Sequence, residues 1–350
     1  MSTIKEVAKL AGVSIGTVSH FLSGSVRVSE ELRHRIAGAI QVLDYHPNHV
    51  ARSLKTSKTR TIGMVVPDFG IPFFSKVIRS AEQAARLQGY SLVAVSSEDD
   101  ALREDELLVL LRSQRVEGIL LISASAQGSG LQIRKLINSG IPVVCLDRLP
   151  DNVQVDSVCV EDRVAAEMGV SHLISMGHRD IAIVTGPLTL RNERERLLGY
   201  KQAMQQAGLR VSRSLMWEAS FQQDHILQVC KQGLLNPSKR PSALFCSNGV
   251  IGLATLRAIE VCKLSTPKDI AFATFDELVE HDVFHPTITS VIQPAHQIGN
   301  GAAEILIERI KSPGTIPRRE IRLPATLKVG ESSNCYRPKL TRVGRTERRP

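Results

Sequence analysis

Seven short apolar runs, each about the length of one strand, recur from residue 62 onward and set what this chain can become. They read IGMVV, SLVAV, GILLI, PVVCL, IAIVT, ALFCS and IAFAT, and helix-length amphipathic segments separate them. Unbroken apolar runs of this size belong to strands covered on both faces, and strand–helix alternation places such strands parallel. The repeat falls into two units of comparable size, so two α/β lobes are expected. Ligands of open α/β sheets sit beyond the carboxyl ends of the strands, which here means the cleft between the lobes.

The first 60 residues follow a different rhythm. Thr3 and Glu6 have the spacing of a capping box, and Ile4, Val7, Ala8 and Ala11 fall on one helical face. Gly12 suits a turn, and Ser14 suits the N-cap of a second helix, IGTVSHFL, with Val13, Val18 and Leu22 turned inward. Ser29 starts a third helix to about Asp44, with Leu32, Ile36, Ile40 and Leu43 on its buried side. Two short helices across a tight turn make a helix-turn-helix, and a third completes a small all-α headpiece of the DNA-binding kind.

Two catalytic look-alikes fail on context. GVSIG, residues 12 to 16, matches the G-x-S-x-G nucleophile elbow, but that elbow needs a strand before its serine, and the periodicity before Gly12 is helical. Ser14 is therefore a helix cap and not a nucleophile. His178-Arg179-Asp180 resembles a kinase catalytic loop, yet Thr185 stands where that loop needs an Asn. GSG at 128 to 130 lacks the phosphate-loop lysine. No enzyme activity is expected.

Charge separates the ends from the middle. Residues 1–60 carry a net +5, Arg337–Pro350 another +5, and the 276 residues between them −1. A basic end suits a polyanion, because phosphate neutralisation releases counterions. No apolar run reaches 18 residues, and charges interrupt the N-terminus, so a cytoplasmic protein with neither membrane span nor signal peptide is expected. The six cysteines (Cys145, Cys159, Cys230, Cys246, Cys262, Cys335) are scattered without C-x-x-C spacing, so free thiols are expected, with no metal and no cofactor.

TIKEVAKLAGVSIGTVSHFLSG, VRVSEELRHRI and LDYHPNHVARSLKT closely resemble the N-terminal region of the LacI/GalR family of transcription regulators. The resemblance continues through IGMVVPD, PFF, RVEGILLI, GHRDIAIVTGP, FDE and PTITSVIQP, and covers residues 2 to about 330. It implies a helix-turn-helix headpiece at 1–46, a hinge helix and linker at 47–60, and a two-lobed, periplasmic-binding-protein-like domain of type I. The lobes would be 61–160 with 292–322, and 161–291, followed by a basic tail at 331–350. The chain would cross between lobes near residues 160, 291 and 322.

For DNA, the resemblance implies contacts from Ser14, Ile15, Gly16, Thr17, Ser19, His20, Ser29, Asn48, Ala51 and Leu54. Ile15, Gly16 and His20 sit at base-reading positions of the recognition helix, while Thr17, Ser19, Ser29 and Asn48 suit phosphate anchoring. Gly16 stands where a polar residue is common. Either it lets the helix approach closely, leaving Ile15 for a thymine methyl and His20 for a base, or it relaxes specificity at one base pair. Leu54 would be the wedge that the hinge helix drives into the minor groove, with Val50 and Ala51 on the same face, in a homodimer on a palindromic operator. A tetramer stays open, since no terminal leucine heptad appears.

For the effector, the implied contacts are Phe73, Phe74, Asp147, Arg148, Asn192, Arg196, Phe221, Asn248, Asp276 and Gln293. Planar hydrogen-bonders suit hydroxyl pairs and aromatic faces suit a sugar ring, so the set implies a free aldose such as ribose or a related sugar. Two positions depart from the family: Gly249 replaces an Asp after Asn248, and Asn192 precedes Arg196. A repressor is expected, with the sign of the effector's action left open. The rival reading is a sugar-binding module without a transcriptional role.

Overall fold

A computed structural model describes residues 2–23, 28–45, 58–278, 285–314 and 317–334. The chain forms two compact units, Met1–Thr59 and Arg60–Pro350.

Three helices build the first unit: α1 (Ile4–Ala11), α2 (Ile15–Ser23) and α3 (Glu30–Val42). Thr3 and Glu6 close a reciprocal capping box on α1, with Thr3 N–H donating to Glu6 Oε2 at 2.7 Å. Gly12 ends α1 in the left-handed region at φ 64°. A side chain there would also collide with Arg35, whose Nη2 lies 2.5 Å from where a Cβ would stand. Arg35 donates from Nη2 to the carbonyl oxygens of Ala11, at 2.6 Å, and Gly12, at 3.2 Å, tying α3 to the turn. Val7, Ala8, Ala11, Val18, Ile36, Ala39 and Tyr45 form the core, with Ile4, Val13, Leu22, Ile40 and Leu43 packed against it.

Arg60–Pro350 contains two six-stranded sheets. The first holds β1 (Thr61–Val66), β2 (Ser91–Ser96), β3 (Ile119–Leu121), β4 (Val143–Leu146), β5 (Asp156–Val160) and β11 (Glu320–Leu323). Their order is β11-β5-β4-β3-β1-β2, parallel throughout. Helices α4 (Pro72–Leu87), α5 (Ala101–Ser113) and α6 (Gly130–Asn138) connect the first of these strands.

The second sheet holds β6 (Ile181–Thr185), β7 (Met216–Glu218), β8 (Ala243–Cys246), β9 (Ala271–Phe275), β10 (Thr289–Ile292) and β12 (Thr326–Lys328). Its order is β12-β10-β9-β8-β6-β7, with only the β10–β12 pair antiparallel. Helices α7 (Asp162–Ser175), α8 (Arg191–Gln206), α9 (Gln223–Leu234) and α10 (Gly249–Val261) belong to this lobe. Helix α11 (Ala295–Lys311) returns to the first lobe and packs on α4. The chain thus passes between lobes after β5, after β10 and between β11 and β12. One apolar core, from Ile62 through Phe245 to Leu306, runs through both.

Five strands fall outside the seven apolar runs, and one of them, β10 (TSVI), is half polar. β5 (DSVCV) mixes polar and apolar residues, and β7, β11 and β12 are short edge strands whose outer sides face water. An edge strand needs only part of its surface apolar, so its sequence looks like a loop. Residues 331–334, expected to open a tail, instead belong to the second lobe. Glu331–Ser333 form a 3-10 turn, with Ser332 and Ser333 buried. Ser332 Oγ donates to Phe272 O at 2.7 Å and its N–H donates to Thr287 O at 2.9 Å. The rest of the expected tail, Cys335, and the hinge positions Asn48, Ala51 and Leu54 lie outside the described residues.

Candidate functional site

In the headpiece, Ser14 acts as the cap of α2. Its Oγ accepts the Thr17 N–H at 3.0 Å and pairs with Thr17 Oγ1 at 2.9 Å. Ser29 caps α3 the same way, accepting from Leu32 N–H at 3.4 Å. Ile15 is 44% exposed, and Gly16 and His20 are exposed with it, while Thr17 and Ser19 are half-buried. Gly16 has no packing reason to be glycine: a Cβ there would meet only Ser14 Oγ, at an ordinary 3.5 Å. It nevertheless weakens α2 by about 1 kcal/mol relative to alanine.

In the larger unit, strand ends and helix starts of both lobes converge on one cavity of about 30 Å³. All ten residues expected for the effector line it, together with Ile71, Glu193, Gly249 and Val250. Pro72 opens α4 and places Phe73 and Phe74 in its first turn, with ring centroids 5.5 Å apart. Arg148 stacks over Phe74 at 5.5 Å and over Phe221, from the opposite lobe, at 5.2 Å. Two aromatic faces and a guanidinium thus form one flank.

Arg196 is the centre of the other flank. It is 1% exposed, and its Cζ lies 3.7 Å from the centroid of the Phe275 ring. Its Nε donates to Asp162 Oδ1 at 2.8 Å and its Nη1 to Ser247 O at 2.8 Å. Its Nη2 stands 2.8 Å from Asp162 Oδ1 and 3.9 Å from Asp147 Oδ1, but its N–H bonds find no acceptor. Burial alone would lower this guanidinium; the carboxylates of Asp162, Asp276, Glu193 and Asp147 outweigh it and raise it. Arg196 is a fixed positive charge.

The carboxylates respond in the opposite sense. Burial raises Asp162 to about 7, against the pull of Arg196. Burial also raises Asp147 and Asp276, with Arg196 again opposing. Asp276 accepts from Gln293 Nε2 at 2.7 Å and from Gly249 N–H at 3.3 Å. Asn248 is committed at both ends: its Oδ1 caps α10 at Ile251 N–H, 2.9 Å, and its Nδ2 donates to Glu193 Oε1, 2.8 Å. Among the described residues, seven buried side-chain atoms lack a hydrogen-bond partner, and four of them line this cavity. They are Arg148 Nε, Asn192 Oδ1, Arg196 Nη2 and Gln293 Oε1. Leaving a buried polar atom unmatched is destabilising by about 1–3 kcal/mol, so this concentration marks a place shaped for something other than stability.

A wider cavity of about 820 Å³ adjoins the first and shares Ile71, Phe73, Phe221, Gly249, Val250 and Asp276 with it. Its remaining wall is largely apolar, with one unmatched atom, Thr266 Oγ1. The unmatched polar atoms thus concentrate in the smaller cavity, four against one in the rest of the larger wall.

Asp162, Glu193, Ser247 and Asp99, which pairs with Arg148, were not foreseen. Glu193 left a signal, since it precedes Arg196 by three positions and Tyr200 by seven on α8, and all three are buried. Asp162 left none, because it follows a strand the apolar pattern does not reveal. No group of three or more His, Cys, Asp or Glu among the described residues is arranged to hold a metal ion.

Residues 3–48 match the family model for "Bacterial regulatory proteins, lacI family", and residues 170–333 that for a "Periplasmic binding protein-like domain". The HTH-type transcriptional repressor PurR of Aliivibrio fischeri (strain MJ11) is 35% identical over 312 residues, covering 89% of this chain and 92% of its own. The ribose operon repressor of Escherichia coli (strain K12) is 33% identical over 327 residues, covering 93% and 98%. Among solved structures, a transcriptional regulator CelR–cellobiose complex superimposes with a TM-score of 0.71 at 29% identity, covering 95% of this chain and 100% of that one.

Proposed function

The chain belongs to the LacI family of bacterial regulatory proteins, and from that premise we propose that it is a cytoplasmic repressor that binds a palindromic operator as a homodimer and senses a small sugar between its lobes. The observation that carries the effector reading is the convergence of four unmatched polar atoms from both lobes, with three phenylalanines, on one cavity. Donors and acceptors side by side beneath aromatic faces suit a polyhydroxylated ring, each hydroxyl both giving and taking a hydrogen bond. The ribose operon repressor and the cellobiose complex among its relatives support the same ligand class.

In this proposal Arg148, Asn192, Arg196, Asp147, Asp276 and Gln293 hold hydroxyls, and Phe73, Phe74 and Phe221 cover the ring. Asn248 positions Glu193 and α10. A cavity of about 30 Å³ has room for about one water, so a sugar enters by parting the lobes. Because residues of both lobes bind it, the sugar changes the equilibrium between lobe arrangements. Operator affinity then follows by a coupling that is reciprocal between the two ligands. On DNA, Ile15, Gly16 and His20 read bases, Ser14, Thr17, Ser19, Ser29 and Asn48 anchor phosphates, and Ala51 and Leu54 serve the hinge.

A thermal-shift titration with free aldoses, ketoses and their phosphates tests the effector. Ligand at a hundred times its dissociation constant stabilises the native state by about 2.7 kcal/mol. A rise with an unphosphorylated sugar, lost in Arg196→Ala, is the expected result. No shift with any free sugar would remove the sugar from the proposal and leave the DNA-binding role standing.

A further inference from the structure

Two ion pairs join the lobes outside the effector cavity, and the sheets place them on either side of it. In the first lobe Asp151 lies in the turn after β4 and Lys76 in the helix after β1, with β3 between those strands. In the second lobe their partners, Arg194 and Glu277, follow β6 and β9, with β8 between. Arg194 Nη2 donates to Asp151 Oδ2 at 2.7 Å and to Oδ1 at 2.9 Å. Lys76 Nζ donates to Glu277 Oε2 at 3.4 Å. Neither pair lines the cavity of about 30 Å³.

Parting the lobes breaks both pairs but leaves their members in different company. Glu277 keeps Lys328 of its own lobe, whose Nζ stands 3.2 Å from Oε1. Among the described residues, the Asp151 carboxylate meets no second cation. An exposed ion pair usually contributes little, because two mobile side chains must be ordered to form it. Here each lobe orders its own member beforehand. Arg194 Nη1 donates to the carbonyl oxygens of Thr189, at 2.9 Å, and Leu188, at 3.2 Å, which fixes the guanidinium with Nη2 toward the first lobe. The Asp151 turn is pinned by its own N–H, bonded to Ala126 O at 2.7 Å, and by Arg134 Nη1, bonded to Asn152 O at 3.1 Å. Lys76, by contrast, offers a point charge on a flexible stem.

We propose that Asp151 and Arg194 form a latch that holds the empty lobes together and sets how often the effector cavity opens, while Lys76 and Glu277 do not. This rests on the reading that a ligand enters by parting the lobes, and not on which sugar it is. The two latch side chains are 34% and 38% exposed, so salt reaches the pair and screens it. Ionic strength therefore changes the open population, and with it the rate at which even an uncharged ligand gains the cavity.

Hydrogen exchange of the ligand-free full chain tests this. Phe73 and Phe74 line the cavity in the first turn of α4, where backbone N–H groups have no partner within the helix, so their amides exchange when the lobes part. The buried middle of α11 serves as reference. In Asp151→Asn and Arg194→Gln the α4 amides are expected to exchange about threefold faster. The double variant should be no faster than either single one, and Lys76→Gln should match the wild type. Raising sodium chloride from about 0.05 to about 0.5 M should speed these amides in the wild type and not in the double variant, with α11 unchanged. Unchanged exchange in both single variants, single effects that add in the double variant, or a Lys76→Gln as fast as Arg194→Gln would each overturn the latch. If a variant also speeds α11, its fold has loosened, and the wild type decides: α4 amides indifferent to salt overturn the latch. No ligand enters the measurement, so its failure leaves the sugar reading standing, and the thermal-shift titration reads failure of that separately.

Discussion

Asp147 and Asp276 occupy matching places in the two lobes. Each follows the strand that stands third in its sheet, β4 and β9, and each turns the chain in the left-handed region, at φ 54° and 69°. Aspartate tolerates that backbone better than most residues, but it is still uncommon outside glycine. The turn aims one carboxylate from each lobe at the same cavity. Strain and buried charge at the same two positions are what a site held ready for a ligand would show.

If those carboxylates serve binding at the expense of stability, removing their charge should improve the empty protein. Asp276→Asn is expected to raise the melting temperature of ligand-free protein by the equivalent of about 1 kcal/mol while weakening the effector. Differential scanning calorimetry with and without ligand reads both. A variant that loses stability and keeps full affinity would reverse the assignment.

Asp162 sets a pH dependence. Its carboxyl is raised from 3.8 to about 7 by burial. Between those values the folded chain holds a proton that the unfolded chain has released, so stability from this group is present at low pH and lost as pH rises through about 7. Urea midpoints measured from pH 5 to 8 should therefore fall, and Asp162→Asn should flatten the fall. Asp156 acts in the other direction. Burial would raise it, but Arg309, bonded at 2.6 and 2.8 Å, and the Arg319 N–H hold it low, so its stability disappears on acidification.

Arg196 is the one guanidinium shared by Asp162, Asp147 and the Ser247 carbonyl. Arg196→Ala leaves the surrounding carboxylates without it and is expected to cost about 3–5 kcal/mol. Arg196→Lys keeps charge but cannot fork or stack flat on Phe275, and should recover only part of the loss. Denaturant unfolding distinguishes these from a ligand-only effect, which would leave the midpoint unchanged.

The two headpiece glycines should respond oppositely. Gly12→Ala forces a Cβ against Arg35 in a left-handed turn and is expected to cost at least about 1 kcal/mol. Gly16→Ala makes only an ordinary contact with Ser14 Oγ and should stabilise α2 by about 1 kcal/mol. Selection from a random DNA library then reads what Gly16 does. A changed preference at one base pair means the missing side chain matters to the fit, and an unchanged one means that glycine is neutral there.

Much of the fold and part of the site could be read without coordinates. Local chemistry determined the capping box at Thr3, the αL turn at Gly12, the cap at Ser14 and the buried strands, because each depends on residues a few positions apart. The ten cleft positions could be named because strand ends in a parallel sheet face one way, and a family resemblance marked which ends matter. Tertiary structure alone decided how their charges are matched. Arg196 meets Asp162 across 34 residues, Asn248 meets Glu193 across 55 and Gln293 meets Asp276 across 17. Whether a carboxylate is paired, bonded to neutral donors or left facing a cavity depends on which distant segments the folded chain brings together and how completely they exclude water. Residue order carries no direct trace of that. The edge strands β11 and β12 were hidden for a related reason: their half-exposed faces take their stability from the neighbouring strand and not from a pattern of their own.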